Sequence, residues 1–362
     1  MSPAKLQTSR SAKNLAKILE KVHRIAIPIV ADLHPTCLST IVENTMHTNS
    51  FAFVLNPFHY TGAVPIELMP DMFLDRADDL QRKTIEELRD QQGHAGTTLA
   101  FRHEPIPIEI RNSPDWDRIL PPRTTFWVIN FFGDPEPVFE FSHAAQLTGT
   151  EVEIGASFPQ KEQILIPRII NPWRIHSFFE RFWNNDAQPL NPNDLKTARL
   201  LVQKLREFRA VSADQQPQKL VVRVFDDFVD LSREHRFGHL ALLGHFALIE
   251  ALVTHDAAQS GRSLTHQLAT KMPLLMRRFA QPLLVSEFFD LADEWATWRL
   301  LYRARSAYAH GGEPNFEKPA DQRGVCELRN LGEVFRFVRH SLKRLLMLAL
   351  EEPRLIYDLK AC

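Results

Sequence analysis

Cysteine is scarce: the chain of 362 residues has three, Cys37, Cys326 and Cys362. They stand far apart and form no Cys-x-x-Cys pair, which excludes a zinc ribbon or a disulfide framework as the organising device. A reducing cytoplasm fits that usage best. Long apolar runs are also lacking. The N-terminal MSPAKLQTSRSAKNLAK contains none, so it does not read as a secretory signal. Nothing approaches the ~20 apolar residues that span a bilayer; LLMLAL near the C-terminus is short and sits between Lys-Arg and Glu-Glu. Glycine is outnumbered by proline, 13 to 24. Charge of one sign does not dominate either: the net charge is -1, so bulk charge does not mark a nucleic-acid binder. There is no internal repeat and no low-complexity run.

What remains is ordinary globular material, 44% hydrophobic and 24% charged, with length for a core and for two domains. The halves differ modestly in charge. Residues 1–189 carry 18 Lys and Arg against 23 Asp and Glu, and residues 190–362 carry 25 against 21. The C-terminal half is the better partner for a polyanion.

The pattern along the chain predicts an α+β protein in two parts. Residues 12–21 read as a short helix, and residues 24–31 and 50–56 as strands rich in β-branched and aromatic residues. The charged run 75–93 reads as a helix stopping at Gly93. Residues 98–103, 106–111, 124–133, 137–142, 151–157 and 163–168 read as further strands, punctuated by Pro and Gly. The register changes across 171–194, an aromatic, then polar and Pro-bearing stretch. We therefore expect a β-rich domain over 1–190, of sensor or regulatory type, and an all-α domain over 191–362.

The helical part reads as five or six helices. In 194–210, Leu195, Leu200, Leu201, Leu205 and Phe208 form one stripe. Residues 219–234 follow. Residues 237–256, FGHLALLGHFALIEALVTHD, are apolar on most sides, which predicts a central helix. Ser263 is placed to cap a helix over 263–280. Residues 283–310 read as one long helix ending at Gly311–Gly312, and the last helix is expected from about 324 to 351.

The densest chemistry lies in LLYRARSAYAHGGEPNF, residues 300–316. Taken alone, Arg303, Arg305 and His310 are a basic helix end, which the helix dipole favours. Upstream, ALIEAL places Glu250 in an apolar run, where an unpaired charge is costly. Together these features resemble the HEPN superfamily, and within it the Apea-like HEPN domains. The resemblance covers roughly 194–350. It rests on the acidic residue of an apolar helix, Glu250, and on Tyr302, Arg305, Ser306, His310 and Gly311 at the end of a later one. The family's hallmark is an Arg followed by a polar residue and, a few positions on, a His; Arg305, Ser306 and His310 stand in those places.

The resemblance implies a metal-independent endoribonuclease working as a homodimer, with two Arg/His pairs meeting in one cleft. It implies RNA as substrate, no cofactor, and a role in antiviral, abortive-infection style defence. A cellular or phage-derived trigger would then act at the N-terminal domain. RNA cleavage must deprotonate a 2′-hydroxyl, stabilise charge on phosphorus and protonate the leaving oxygen. His suits the proton transfers, and the planar Arg fork suits the phosphate. His310 is thus the expected general acid/base and Arg305 the phosphate ligand, with Glu250, Ser306, Arg303 and Tyr302 in support. On an ideal helix, residues five apart diverge by about 140° while residues seven apart diverge by about 20°, so wheel counting favours Arg303 over Arg305 as the residue facing His310. Some family members carry a Tyr two residues after the His, modified by a partner nucleotidyltransferase. Gly312 stands there, which argues against that control.

The competing readings are blander. Glu250 could serve a structural ion pair, with Arg299 for instance. The helices could form a catalytically inactive HEPN module for dimerisation or binding, leaving recognition to the N-terminal domain. His239, His245 and His255 are spaced six and ten apart, which suits core or surface positions better than a shared metal. Arg277 and Arg278 could extend an RNA surface or simply end a helix. His34, Cys37 and His47 make a weak metal grouping, and the aromatics of 126–141 suit a sheet core better than a base-stacking platform.

Overall fold

The computed structural model describes residues 50–94, 126–161, 164–170, 172–181, 187–212, 215–234, 237–255, 263–289, 293–312 and 330–361. The helix expected over 12–21, the strands over 24–31, 98–103 and 106–111, the His34/Cys37/His47 grouping and the start of the last helix at 324 lie outside them.

The antiparallel sheet is built around SFAFV. This segment, β1 (Ser50–Val54), is buried at every position because the sheet is covered on both faces. Phe51 and Phe53 point into one core, with Val128, Ala156, Phe158, Phe178 and Phe179. Ala52 and Val54 point into the other. The remaining elements of this part are β2 (Phe58–His59), β3 (Ile66–Met69), β4 (Met72–Arg76), α1 (Asp79–His94), β5 (Trp127–Phe131), α2 (Glu136–Ala145), β6 (Ile154–Phe158), β7 (Gln160–Lys161), β8 (Ile164–Leu165), β9 (Arg168–Ile169), α3 (Pro172–Arg181) and β10 (Gln188–Pro189). Strand order is β3-β4-β5-β1-β6-β9. Register is pinned by pairs such as Phe53 with Val128 and Phe51 with Phe158, whose rings stack 4.6 Å apart.

The helical part follows: α4 (Pro192–Arg209), α5 (Gln216–Glu234), α6 (His239–Val253), α7 (Leu264–Met276), α8 (Glu294–Ala309), α9 (Leu331–Glu351) and α10 (Pro353–Ala361). Their starts are chemically marked. Asn191, Ser263, Asp293 and Asn330 each accept a backbone N–H of their own helix's first turn. Helix α6 is buried at Ala241, Leu242, His245, Phe246, Leu248, Ile249, Leu252 and Val253, as its all-round hydrophobicity predicted. Within Asn49–Cys362, which is one compact unit, the second sheet face and the helices share a continuous core.

Several expectations change. Residues 137–142 are part of α2, not a strand. Val138, Phe141, Ser142 and Ala145 fall at helical spacing and are buried, and Asp134 accepts from the Glu136 N–H at the entrance. A short Val/Phe run cannot distinguish a buried strand from a buried helix. The helix expected from 75 begins at Asp79, because 72–76 is β4, joined to β3 by Pro70 and Asp71 with Asp71 at φ 60°. The aromatic stretch after Asn171 contains helix α3. The helix expected over 283–310 is broken: a 3-10 turn spans Val285–Glu287, and α8 starts anew behind Asp293. Leu200 leaves its predicted stripe and is 65% exposed. The last helix stops at Glu351 and α10 follows, making seven helices after residue 191 among the described residues.

Among the described residues no helix is long and apolar enough to cross a membrane.

Candidate functional site

Helices α6 and α8 bring Glu250 and Arg305 together. Arg305 Nε lies 3.2 Å from Glu250 Oε1, and Nη2 donates to Oε2 at 3.4 Å. The pairing with Arg299 that the sequence left open is not made; Arg299 lies over the Trp295 ring instead. The Nε–Oε1 approach is an ion contact without hydrogen-bond alignment, and both atoms are otherwise unpartnered. The pair is semi-sheltered, with 26% of the Arg305 side chain and 15% of that of Glu250 exposed. Burial raises the Glu250 carboxyl above its ordinary range against the opposing pull of Arg305.

Tyr302 completes this group. The Arg305 guanidinium lies over its ring, 5.5 Å from the centroid. The ring is wedged edge-on against Phe246 of α6, which in turn meets the buried Trp298. Burial and the Glu250 charge push the Tyr302 hydroxyl upward, so it remains protonated and able to donate. Arg305 is therefore held from two sides, by a carboxylate and by an aromatic face.

His310 sits where α8 ends. Its backbone has left helical geometry at φ -98° and ψ 13°, so wheel counting does not carry through to its side chain. The end is a Schellman turn. Gly311 takes φ 74°, its N–H donates to the Tyr308 carbonyl, and the Gly312 N–H donates to that of Ala307 at 2.9 Å. This is the role expected of the two glycines. His310 is exposed, Ser306 is half-buried, and Arg303 is exposed. Beside them Tyr308 stacks on His239, 5.8 Å between centroids. His239 was not expected near this group; no sequence signal linked it, because the contact is made across two helices.

Sequence reasoning missed a second polar group. At the junction of sheet and helices Lys343, on α9, donates to the Thr148 carbonyl at 2.6 Å and to Glu151 Oε1 at 3.2 Å. Arg339, one turn earlier, reaches the same oxygen at 2.7 Å. Glu151 is held well below the carboxylate range by these two cations, although burial alone would raise it. Lys343 is lowered, chiefly by burial. A cavity of about 210 Å³ opens next to this cluster, lined by α2, the 146–154 segment, α5, α6 and α9; neither Arg305 nor His310 lines it. A lysine inside the apolar stripe of α9, four residues after an arginine, was the available signal. Among the described residues no group of three or more His, Cys, Asp or Glu could hold a metal ion.

No family model, no curated protein and no solved structure matches the chain.

Proposed function

We propose that this protein is an endoribonuclease of the HEPN type, cutting RNA without a metal at a site built from Arg305 and His310. The observation that carries this reading is the clamp on Arg305. A half-buried carboxylate and a tyrosine face hold a guanidinium that still reaches solvent, five residues before an exposed histidine that leads into the glycine turn. An arginine fixed in this way can meet a phosphate oxygen with little reorganisation, which is what stabilising charge on phosphorus requires. His310 is exposed and able to exchange protons with substrate. A second copy across the cleft would supply a second Arg/His pair, and the N-terminal part would hold the trigger response, in antiviral or toxin-type defence.

The deciding experiment uses purified full-length protein, a mixed RNA substrate and EDTA. Cleavage is expected, yielding 2′,3′-cyclic ends, and His310→Ala should reduce it by about 10²–10⁴-fold. Arg305→Ala should reduce it comparably without abolishing folding. Activity retained in both variants, or lost in EDTA and restored by a divalent ion, would sink the proposal.

A second reading is favoured by the same pair. Glu250 already satisfies part of the Arg305 guanidinium, as a structural ion pair would, and Leu240 and Phe237 at the start of α6 are exposed apolar residues suited to a dimer face. On this reading the helices only dimerise or bind. Dimerisation without cleavage, unchanged by Arg305→Ala, supports it.

A further inference from the structure

The start of α6 and the end of α8 bring aromatic rings to the surface close to His310. His239, the first residue of α6, stacks on Tyr308 with centroids 5.8 Å apart and planes 20° from parallel, an offset stack. His239 is exposed, and it makes no other ring, hydrogen-bond or ion contact among the described residues. Tyr308 backs one face of the imidazole, so what the ring leaves to solvent is its other side. Two residues earlier Phe237 is 61% exposed and rests edge-on against Phe335, 5.4 Å between centroids. Leu240 is 58% exposed. Single apolar residues at a surface need no explanation, but here the rings of two helices are stacked and left open together.

Their place says what they receive. Tyr308 follows Arg305 by three residues, so the two lie on one side of α8 with ~5–6 Å between their Cβ atoms. Their side chains splay toward opposite ends of α6, Arg305 to Glu250 and Tyr308 to His239. Positions 239 and 250 are separated by about 16 Å along the helix axis. A ligand with an anion at Arg305 and a flat ring at His239 must therefore be extended. Its path follows the last turn of α8, which ends at the exposed His310. A polynucleotide has this form, with an anionic backbone and a π-face on every unit. Only an unpaired base can use the rings, because bases inside a duplex are already stacked on their neighbours.

We propose that His239, backed by Tyr308, is the platform on which a base flanking the cut phosphate stacks, so that the substrate is RNA with unpaired bases. The proposal rests on the nuclease reading for the identity of the ligand. His239 binds the strand and takes no part in proton transfer, which belongs to His310.

The test is fluorescence anisotropy with the full chain and two labelled strands. One is a 2′-O-methyl oligouridine of about ten nucleotides, which lacks the attacking hydroxyl; the other is the same backbone without its bases. His239→Ala should weaken binding of the oligouridine about 5- to 150-fold, the scale of ~1–3 kcal/mol per stacked base, and leave the abasic strand unaffected. His239→Phe keeps a ring without a titratable nitrogen. It should restore binding and, with cleavable RNA in EDTA, cleavage. Both variants should keep the wild-type Tm and sedimentation, since the residue is exposed.

Equal loss on the two strands means that His239 serves the backbone or the fold, and it overturns the proposal. Cleavage lost in His239→Phe as fully as in His239→Ala makes the imidazole a proton carrier and overturns it too. So does altered sedimentation of His239→Ala with unchanged affinity, which makes the rings a contact between copies, and so does failure of both strands to bind. The nuclease reading fails separately. Base-dependent binding through His239 without any cleavage removes that reading and keeps the platform, whereas cleavage with an affinity indifferent to His239 keeps the reading and removes the platform.

Discussion

Replacing Glu151 with glutamine tests whether the buried cluster on α9 stabilises the fold or is only tolerated by it. The Lys343 side chain is 7% exposed, and its ammonium and the Arg339 guanidinium converge on one carboxylate oxygen. In Glu151→Gln at pH 7 two cations face each other without an anion, a change of the kind that costs about 3–5 kcal/mol. The ceiling is set by the escape route. Lys343 can shed its proton, and from an ordinary value of 10.5 that costs about 5 kcal/mol at pH 7, or 3.5 units at ~1.4 each. Lys343→Met behaves differently. It removes a buried ammonium, keeps the Glu151–Arg339 pair, and leaves only the Thr148 carbonyl short of a donor, at about 1–3 kcal/mol. The double variant should therefore lose less than the sum of the singles, by about 1–3 kcal/mol. Urea unfolding at pH 7, followed by tryptophan fluorescence, measures all four corners. A second readout comes from pH. In Glu151→Gln the folded-state pKa of Lys343 lies below its unfolded value. Stability is then lowest where the lysine is charged in both states, and it recovers as pH rises from the folded pKa toward 10.5. If Lys343→Met proves the more damaging single change, if the two losses add, or if raising the pH recovers nothing, the cluster does not work in this way.

The other predictions concern single positions. His245, lowered from 6.5 to about 4 by burial, contributes stability that is complete above pH 6.5 and is lost as pH falls toward 4, up to about 3 kcal/mol; His245→Leu should flatten that part of a urea-midpoint-against-pH curve. Gly311→Ala meets no steric obstacle but must hold φ 74°, so a loss of about 1–2 kcal/mol is expected in thermal unfolding, and a loss of cleavage beyond that shows that the turn also positions His310. Trp298→Ala should cost about 3–5 kcal/mol in urea unfolding, since the ring is fully buried between Phe246 and Phe337. Asn330→Ala should cost about 1 kcal/mol in thermal unfolding through loss of the cap on the Glu333 N–H, with no effect on RNA cleavage.

The sequence by itself determined those features whose causes are local. The strand at SFAFV, the apolar helix α6, the cap at Ser263 and the glycine stop at Gly311–Gly312 each follow from residues within a few positions of one another. The change from strands to helices near residue 190 was legible for the same reason. Only the tertiary structure decided features that depend on what lies opposite. Residues 137–142 carry a composition shared by strands and helices, and burial against α4 makes them a helix. Residues 283–310 look continuous, yet Asp293 can cap a new helix once the chain turns there. Glu250 could have paired with several arginines, and packing of α8 against α6 chose Arg305. The cluster of Glu151, Arg339 and Lys343 and the cavity beside it join residues nearly two hundred positions apart, a relation that no local period encodes.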